Sequence, residues 1–183
     1  MPVATWVNVP KKYPIYVGVD LLKDVCVFRP YVANRHVMII SSANIAANYL
    51  SRLESTCLQA GATLCQKLFI QDDEQHKTLQ TASYIWSTLI SHHIHRDGLI
   101  IALGGGMIGD VVGFSAACYL RGIDFIQCPT TLLAQIDAAI GGKTGVNHQA
   151  GKNLIGAFHQ PIAVMSDLRT LNTLSSRDYN IGR

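Results

Sequence analysis

The chain has 183 residues, enough for one domain with a sizeable core, and 49% hydrophobic against 15% charged residues excludes a disordered composition. A formal net charge of +3, with no Lys/Arg run and no basic stripe interleaved with aromatics, excludes the electrostatic footprint of a nucleic-acid binder. Five scattered cysteines (Cys26, Cys57, Cys65, Cys118, Cys128) without a C-x-x-C pair, an N-terminus without a signal-peptide pattern, and apolar runs no longer than a strand predict a cytoplasmic protein with reduced, mostly core thiols and no membrane span.

Residues 5–9 and 13–19 read as two short strands around a turn at Pro10-Lys11-Lys12. Residues 37–41 form an apolar strand, 43–60 follow with helical periodicity up to Gly61, and 63–70 read as the next strand. The polar loop Gln71-Asp72-Asp73-Glu74-Gln75 then opens a helix running to about His95. Residues 98–103 are a buried strand and 109–120 its helix. Residues 124–128 form another strand, closed by Pro129-Thr130-Thr131 and a short helix through Ala139. Strands alternating with helices predict an α/β fold: a Rossmann-like parallel sheet flanked by helices, with an N-terminal β-strand pair, in one domain over residues 1–183. Ligands of such sheets bind at the carboxyl ends of the strands, so residues 41–44, 71–77, 104–110 and 129–131 mark the functional edge.

The run Leu99-Ile100-Ile101-Ala102-Leu103-Gly104-Gly105-Gly106-Met107-Ile108-Gly109-Asp110 is the most informative stretch. A buried strand ending in glycine and turning into a helix brings backbone close to a ligand and aims free N–H groups at it, which suits an anion. Gly104, Gly106 and Gly109 match G-x-G-x-x-G, but they follow a later strand of the domain, and Asp124 begins the next strand where the ordinary dinucleotide fingerprint places an acidic residue at the strand's end. Asp110, read as lying in the first helical turn, suits either the helix dipole of a binding site or a plain structural cap.

Gly141-Gly142-Lys143-Thr144 looks like the end of a P-loop, but Asp137 stands where its earlier glycine belongs and no strand leads in. Lys143 is therefore either a close-range phosphate or carboxylate contact or an exposed loop lysine. Gly151-Lys152-Asn153 adds a second lysine with a neighbouring amide. Asp137, in an otherwise apolar helix, is either a cap or a partner for a hydroxyl or lysine, because an unpaired buried carboxylate is costly. Arg121 closes a helix whose C-terminus also welcomes a cation. His92, His93 and His95 sit at a polar helix end without neighbouring carboxylates or cysteines, so no metal site is read from the chain.

Taken in one order, Gly104-Gly105-Gly106-Met107-Ile108-Gly109-Asp110, Tyr119-Leu120-Arg121-Gly122, Pro129-Thr130-Thr131-Leu132-Leu133-Ala134-Gln135-Ile136-Asp137, Gly141-Gly142-Lys143-Thr144-Gly145-Val146-Asn147 and Gly151-Lys152-Asn153 make the chain closely resemble the 3-dehydroquinate synthases. The resemblance implies an NAD-binding domain of a shikimate-pathway enzyme that converts 3-deoxy-D-arabino-heptulosonate 7-phosphate to 3-dehydroquinate and phosphate. In that family NAD transiently oxidises a substrate hydroxyl and a divalent metal, zinc or cobalt, polarises the oxidised centre.

Carried over by position, the resemblance implies a cofactor loop at Asp72, Asp73, Glu74, Gln75, His76 and Lys77. Gly105, Gly106, Met107, Ile108, Gly109 and Asp110 would hold the pyrophosphate, Thr130 and Thr131 would reach the cofactor, and Thr170, Leu171, Asn172 and Thr173 would adjoin it. Asn44 keeps the ribose side. Asp137, Lys143, Lys152 and Asn153 would line the substrate side, with Lys143 and Lys152 near cofactor and substrate alike, and Arg121 would reach a substrate phosphate across a homodimer interface. Two positions depart from the pattern: Ser42 replaces an acidic or amide residue at the ribose, and Asp73 replaces a glycine of the cofactor loop. The family's three metal ligands belong to a further helix and a helical domain, and none of them has a counterpart in these 183 residues. The chain is thus expected to be an N-terminal fragment that binds NAD but does not turn over alone. The competing readings are a related sugar-phosphate cyclase, a glycerol-dehydrogenase-like polyol oxidoreductase, and a non-catalytic nucleotide-binding module.

Overall fold

The computed structural model describes residues 2–7, 12–175 and 179. Its strands are β1 (Val3–Val7), β2 (Tyr13–Gly18), β3 (His36–Ser41), β4 (Leu64–Phe69), β5 (Leu99–Gly104), β6 (Asp124–Pro129), β7 (Lys143–His148), β8 (Gly151–Phe158) and β9 (Ala163–Asp167). Its α-helices are α1 (Val25–Val32), α2 (Ala43–Gln59), α3 (Leu79–Ser91) and α4 (Gly106–Cys118). Seven strands form one sheet in the order β1-β2-β9-β6-β5-β3-β4, antiparallel between β1 and β2 and parallel elsewhere. The expected α/β architecture with its N-terminal strand pair is therefore present.

Alternate residues of the continuous apolar run in β5 feed two core layers, as a strand buried on both faces requires. Leu99, Ile101 and Leu103 pack with Phe28, Leu53 and the α1/α2 side, whereas Ile100 and Ala102 pack with Ile85, Val111 and the α3/α4 side. Strands β3 and β5 are neighbours, yet α2 leaves β3 on one face and α4 leaves β5 on the other. That is the topological switch point where such sheets open a crevice beyond the strand ends. Both helices begin there, α2 after Ser42 and α4 after Gly105.

Several elements differ from the sequence reading. Helix α4 starts at Gly106, not Gly109, so Asp110 lies beyond the first turn and serves no cap. Helix α3 starts only at Leu79, where the Thr78 hydroxyl accepts from the Thr81 N–H, and it stops at Ser91. The helix before Ala139 is π-type over Ala134–Ala138. The first strand occupies Val3–Val7, and Pro10 and Lys11 of the predicted turn lie outside the described residues. Cys57, Cys65 and Cys128 are buried, whereas Cys26 and Cys118 are exposed.

The largest difference is at residues 143–158, read from sequence as lysine-bearing loops. They form the antiparallel hairpin β7/β8, which packs on α4. Its strand signal is hidden by paired glycines: Gly145 sits opposite Gly156, where a Cβ on Gly156 would run into the Thr144 carbonyl oxygen. Gly113 of α4 opens the seat for the hairpin, since a Cβ there would lie 2.5 Å from Thr144 Cγ2. A Gly156→Ala substitution is accordingly expected to cost about 1–3 kcal/mol by overpacking against rigid backbone. Urea unfolding monitored by circular dichroism would measure it, and an unchanged midpoint would contradict the packing described.

Candidate functional site

The crevice at the switch point is walled by backbone. Gly105 caps α4 with φ −73°, and no residue of the run 104–109 has a positive φ, so these glycines supply space and not left-handed turns. A Cβ on Gly104 would come within 2.5 Å of Ile108 Cδ1, and one on Gly109 within 2.7 Å of Gln127 Oε1. The first intrahelical bond runs from Gly109 N to Gly105 O at 3.1 Å, which leaves the N–H groups of Gly106, Met107 and Ile108 without helical acceptors at the sheet edge. Together with the dipole, these groups form an anion-binding end.

Beside this helix end lies an ion pair between a buried ammonium and a half-buried carboxylate. Lys77, 4% exposed, places Nζ 2.5 Å from Asp110 Oδ2 and 2.5 Å from Asn153 Oδ1. Burial pushes the Asp110 carboxyl above its usual range, and the Lys77 ammonium pulls it back without cancelling the shift. Three segments distant in sequence thus meet at one ammonium: the loop after β4, helix α4 and strand β8. The hairpin is stitched to the loop a second time. Asn147 N–H donates to the Lys77 carbonyl at 2.8 Å, and Asn147 Nδ2 donates to Glu74 Oε1 at 2.8 Å.

Two hollows flank this knot. One, of about 450 Å³, is lined by Asp110, Asp137, Lys143 and Asn153 with Ile140 and Phe158. Asp137 is exposed there, and among the described residues its carboxylate forms no ion pair, so it is neither the buried partner nor the cap considered from sequence. Lys143 stands exposed at the start of β7, and Lys152 is also exposed, with Nζ 3.8 Å from Glu74 Oε1.

The other, an open groove of about 720 Å³, is lined by Ser42, Asn44, Asp72, Asp73, Gln75 and His76, with Tyr84 at its edge. The two departures from the family pattern both fall here. Asp73 has φ −134° and ψ 155°, extended backbone that any residue adopts, so replacing a glycine strains nothing. Its carboxylate accepts from His76 N at 3.1 Å and contacts His76 Nδ1 at 2.6 Å, and this contact holds its pKa below the usual range. Ser42 is different: its hydroxyl is buried, makes no capping bond to α2 and has no hydrogen-bond partner among the described residues.

The remaining predicted residues sit on the same edge, with one exception. Thr130 N–H donates to the Gly104 carbonyl at 3.0 Å, and Thr131 Oγ1 accepts from Ala134 N at 3.3 Å. Thr170, Leu171, Asn172 and Thr173 form the 3₁₀ turn after β9, held by Tyr49, whose OH lies 2.5 Å from Thr173 Oγ1. Sequence reasoning missed Gln135, although it stood inside a quoted motif. Its buried Nε2 lies within 3.2 Å of Pro129 O, Asp167 O and Thr170 Oγ1, tying the ends of β6 and β9 together. Arg121 does not join the site. It follows the 13 residues of α4, about 20 Å of helix, and so lies exposed toward the opposite edge of the sheet.

The histidines play other parts. Gln66 bridges two of them, its Nε2 donating to His92 Nδ1 at 2.7 Å while its Oε1 lies 2.8 Å from His36 Nε2. No cluster of three or more His, Cys, Asp or Glu among the described residues could hold a metal ion, and no described helix is long and apolar enough to cross a membrane.

The family described as 3-dehydroquinate synthase N-terminal matches residues 67–181. The chain is 54% identical over 170 residues to the 3-dehydroquinate synthase of Coxiella burnetii (strain RSA 331 / Henzerling II), which covers 93% of this chain and 46% of that protein. It therefore spans about half the length of the curated relatives it matches. Among solved structures, 2-deoxy-scyllo-inosose synthase complexed with carbaglucose-6-phosphate, NAD+ and Co2+ superposes with a TM-score of 0.90 at 27% identity, covering 98% of this chain and 49% of that one. The 2-epi-5-epi-valiolone synthase from Streptomyces hygroscopicus with NAD+ and Zn2+ bound gives a TM-score of 0.85 at 28% identity, covering 98% and 49%.

The Lys77–Asp110 pair makes a pH-dependent prediction. Lys77→Met leaves the Asp110 charge uncompensated and is expected to cost about 3 kcal/mol near neutral pH, as breaking buried pairs does. Asp110→Asn keeps an acceptor but leaves the more deeply buried Lys77 ammonium without a charge partner, so it is expected to cost at least as much, about 3 kcal/mol. A carboxyl whose folded pKa is raised binds its proton more tightly when folded, so its contribution is lost as pH rises from the ordinary carboxyl value through the raised one. Denaturant midpoints against pH should fall more steeply for Lys77→Met than for the parent, and Asp110→Asn should remove that slope. Parallel curves for all three would contradict the assignment.

Proposed function

The chain belongs to the 3-dehydroquinate synthase family, and on that premise we propose that it is the dinucleotide-holding half of such an enzyme. The observation that carries the reading is the crevice at the β3/β5 switch point. The free N–H groups of α4 stand at its centre, and the unpartnered Ser42 hydroxyl lines the groove to one side. A buried hydroxyl without a partner fits a ligand that supplies one. The proposed ligand is NAD. Asn44 and the loop from Asp72 to Lys77 would hold one end, Gly105 to Asp110 the pyrophosphate, and Thr130, Thr131, the turn from Thr170 to Thr173, Lys143 and Lys152 the rest. When bound, NAD supplies a site that takes up a hydride and returns it.

The chain's own residues then define the substrate side. Lys143 and Lys152 are exposed point charges suited to the phosphate and carboxylate of 3-deoxy-D-arabino-heptulosonate 7-phosphate, the substrate we propose. Asn153 orients through its contact with Lys77, and the exposed Asp137 carboxylate can accept and return a proton at the hollow it lines. The described residues offer no ligand set for the zinc or cobalt expected with the family, so no step is assigned to a metal here. Arg121, a helix length away, reaches a substrate phosphate only from a second copy, and a cytoplasmic homodimer is part of the proposal. The 54% identity to a 3-dehydroquinate synthase, against 27–28% to the cyclases, favours dehydroquinate as the product.

Calorimetric titration tests the reading. NAD is expected to bind the purified chain and to stabilise it by about 2.7 kcal/mol at a hundredfold excess over Kd. Gly106→Val, which crowds Ala138 Cβ and the helix end, is expected to weaken binding at least tenfold. No detectable binding at millimolar NAD would overturn the proposal.

A further inference from the structure

Asn147 was read from sequence only as part of a motif, and no role falls to it in the cofactor or substrate sets. It occupies the irregular position of the hairpin, where the β7/β8 register shifts between Val146 and His148. A bulge re-aims the side chain it carries, and here the N–H and both side-chain polar atoms of Asn147 serve the knot. Its N–H donates to the Lys77 carbonyl at 2.8 Å. Its Nδ2 donates to Glu74 Oε1 at 2.8 Å and lies 3.4 Å from the Glu74 carbonyl. Its Oδ1 accepts from Asn153 N–H at 2.9 Å.

The last bond has a specific consequence. Asn153 has φ +55°, a left-handed conformation that costs a side-chain-bearing residue energy and that asparagine tolerates best. From that conformation Asn153 Oδ1 meets Lys77 Nζ at 2.5 Å. Asn147 thus holds the backbone of both partners of the Lys77–Asn153 contact. We infer that Asn147 is a positioning residue that locks the loop of residues 72–77 to the hairpin bearing Lys143, Lys152 and Asn153, so that the cofactor side and the substrate side keep one fixed spacing. The inference rests on the dinucleotide reading proposed above for what the spacing serves, and on the hydrogen bonds alone for the lock itself.

Hydrogen–deuterium exchange and NAD titration together test it. Asn147→Ala removes both side-chain bonds but keeps the backbone bond to Lys77. It is expected to speed exchange at the Asn153 amide and across residues 72–77 about tenfold in the ligand-free chain, and to weaken NAD binding about three- to tenfold, one hydrogen bond's worth. Asn147→Asp keeps the acceptor for Asn153 and sets a carboxylate against Glu74, so NAD binding should weaken at least as much. Adding Glu74→Gln to Asn147→Asp restores a donor–acceptor pair with the roles exchanged and should return amide exchange across residues 72–77, raised by the like charges of Asn147→Asp, to near the parent rate; exchange is the readout for this pair because Glu74 itself belongs to the cofactor loop. Unchanged exchange in Asn147→Ala, or no recovery in the exchanged pair, would overturn the inference. If Asn147→Ala does not fold, the isosteric Asn147→Asp and its partner carry the test. Parent protein that fails to bind NAD while the exchange results hold would sink the dinucleotide reading and leave the lock standing.

Discussion

The site hangs on one buried ammonium. Lys77 is almost fully removed from water, and an ammonium so placed needs charge and hydrogen-bond partners to offset its lost hydration. Asp110 supplies the charge and Asn153 the second acceptor. These partners come from a helix and a hairpin that have no sequence adjacency to the lysine. Satisfying Lys77 therefore fixes where α4 and the hairpin stand relative to the loop after β4. The two hollows lie on either side of that junction, and their separation is a consequence of how the ammonium is satisfied.

Close approach of the three segments needs missing side chains more than special dihedral angles. Gly109 lets α4 sit on Gln127 of β6, Gly113 lets the hairpin sit on α4, and Gly145 and Gly156 let β7 and β8 pass each other. The glycines of residues 104–109 look in sequence like a phosphate turn. In the fold Gly105 and Gly106 carry the backbone at the start of α4, where the anion is proposed to bind, whereas Gly104 and Gly109 are packing contacts. The same residue type does two jobs within six positions, and only the surrounding elements separate them.

That distinction explains what the sequence could tell. The continuous apolar runs of β3 and β5 and the turn residues after each strand were enough to place the parallel sheet and its binding edge, because a strand buried on both faces must be apolar throughout. The hairpin was not legible, because its signal is alternation and its glycines erase half of the pattern. Asp110 reads as a first-turn residue, serving either a binding site's helix dipole or a cap, because the spacing suggests a later helix start, and its partner Lys77 lies 33 positions away. Gln135 and Asn147 stood inside quoted motifs but look like any polar residue until the strands they join are known.

The two departures from the family pattern show how differently a substitution can sit. Asp73 enters a backbone conformation open to any residue and gains a capping bond to His76, so it costs the free chain nothing there. Ser42 has exchanged a longer polar side chain for a hydroxyl that is buried without a partner, a state worth about 1–3 kcal/mol against the free chain. The groove it lines also carries Asp72, Asp73 and His76, so partners of either polarity are available to whatever fills it. A ligand that donates to or accepts from Ser42 would recover that cost on binding. Within the dinucleotide reading, the shortened side chain therefore moves the burden of the ribose contact from protein reach to ligand fit, and Asn44 remains on the same wall to share it.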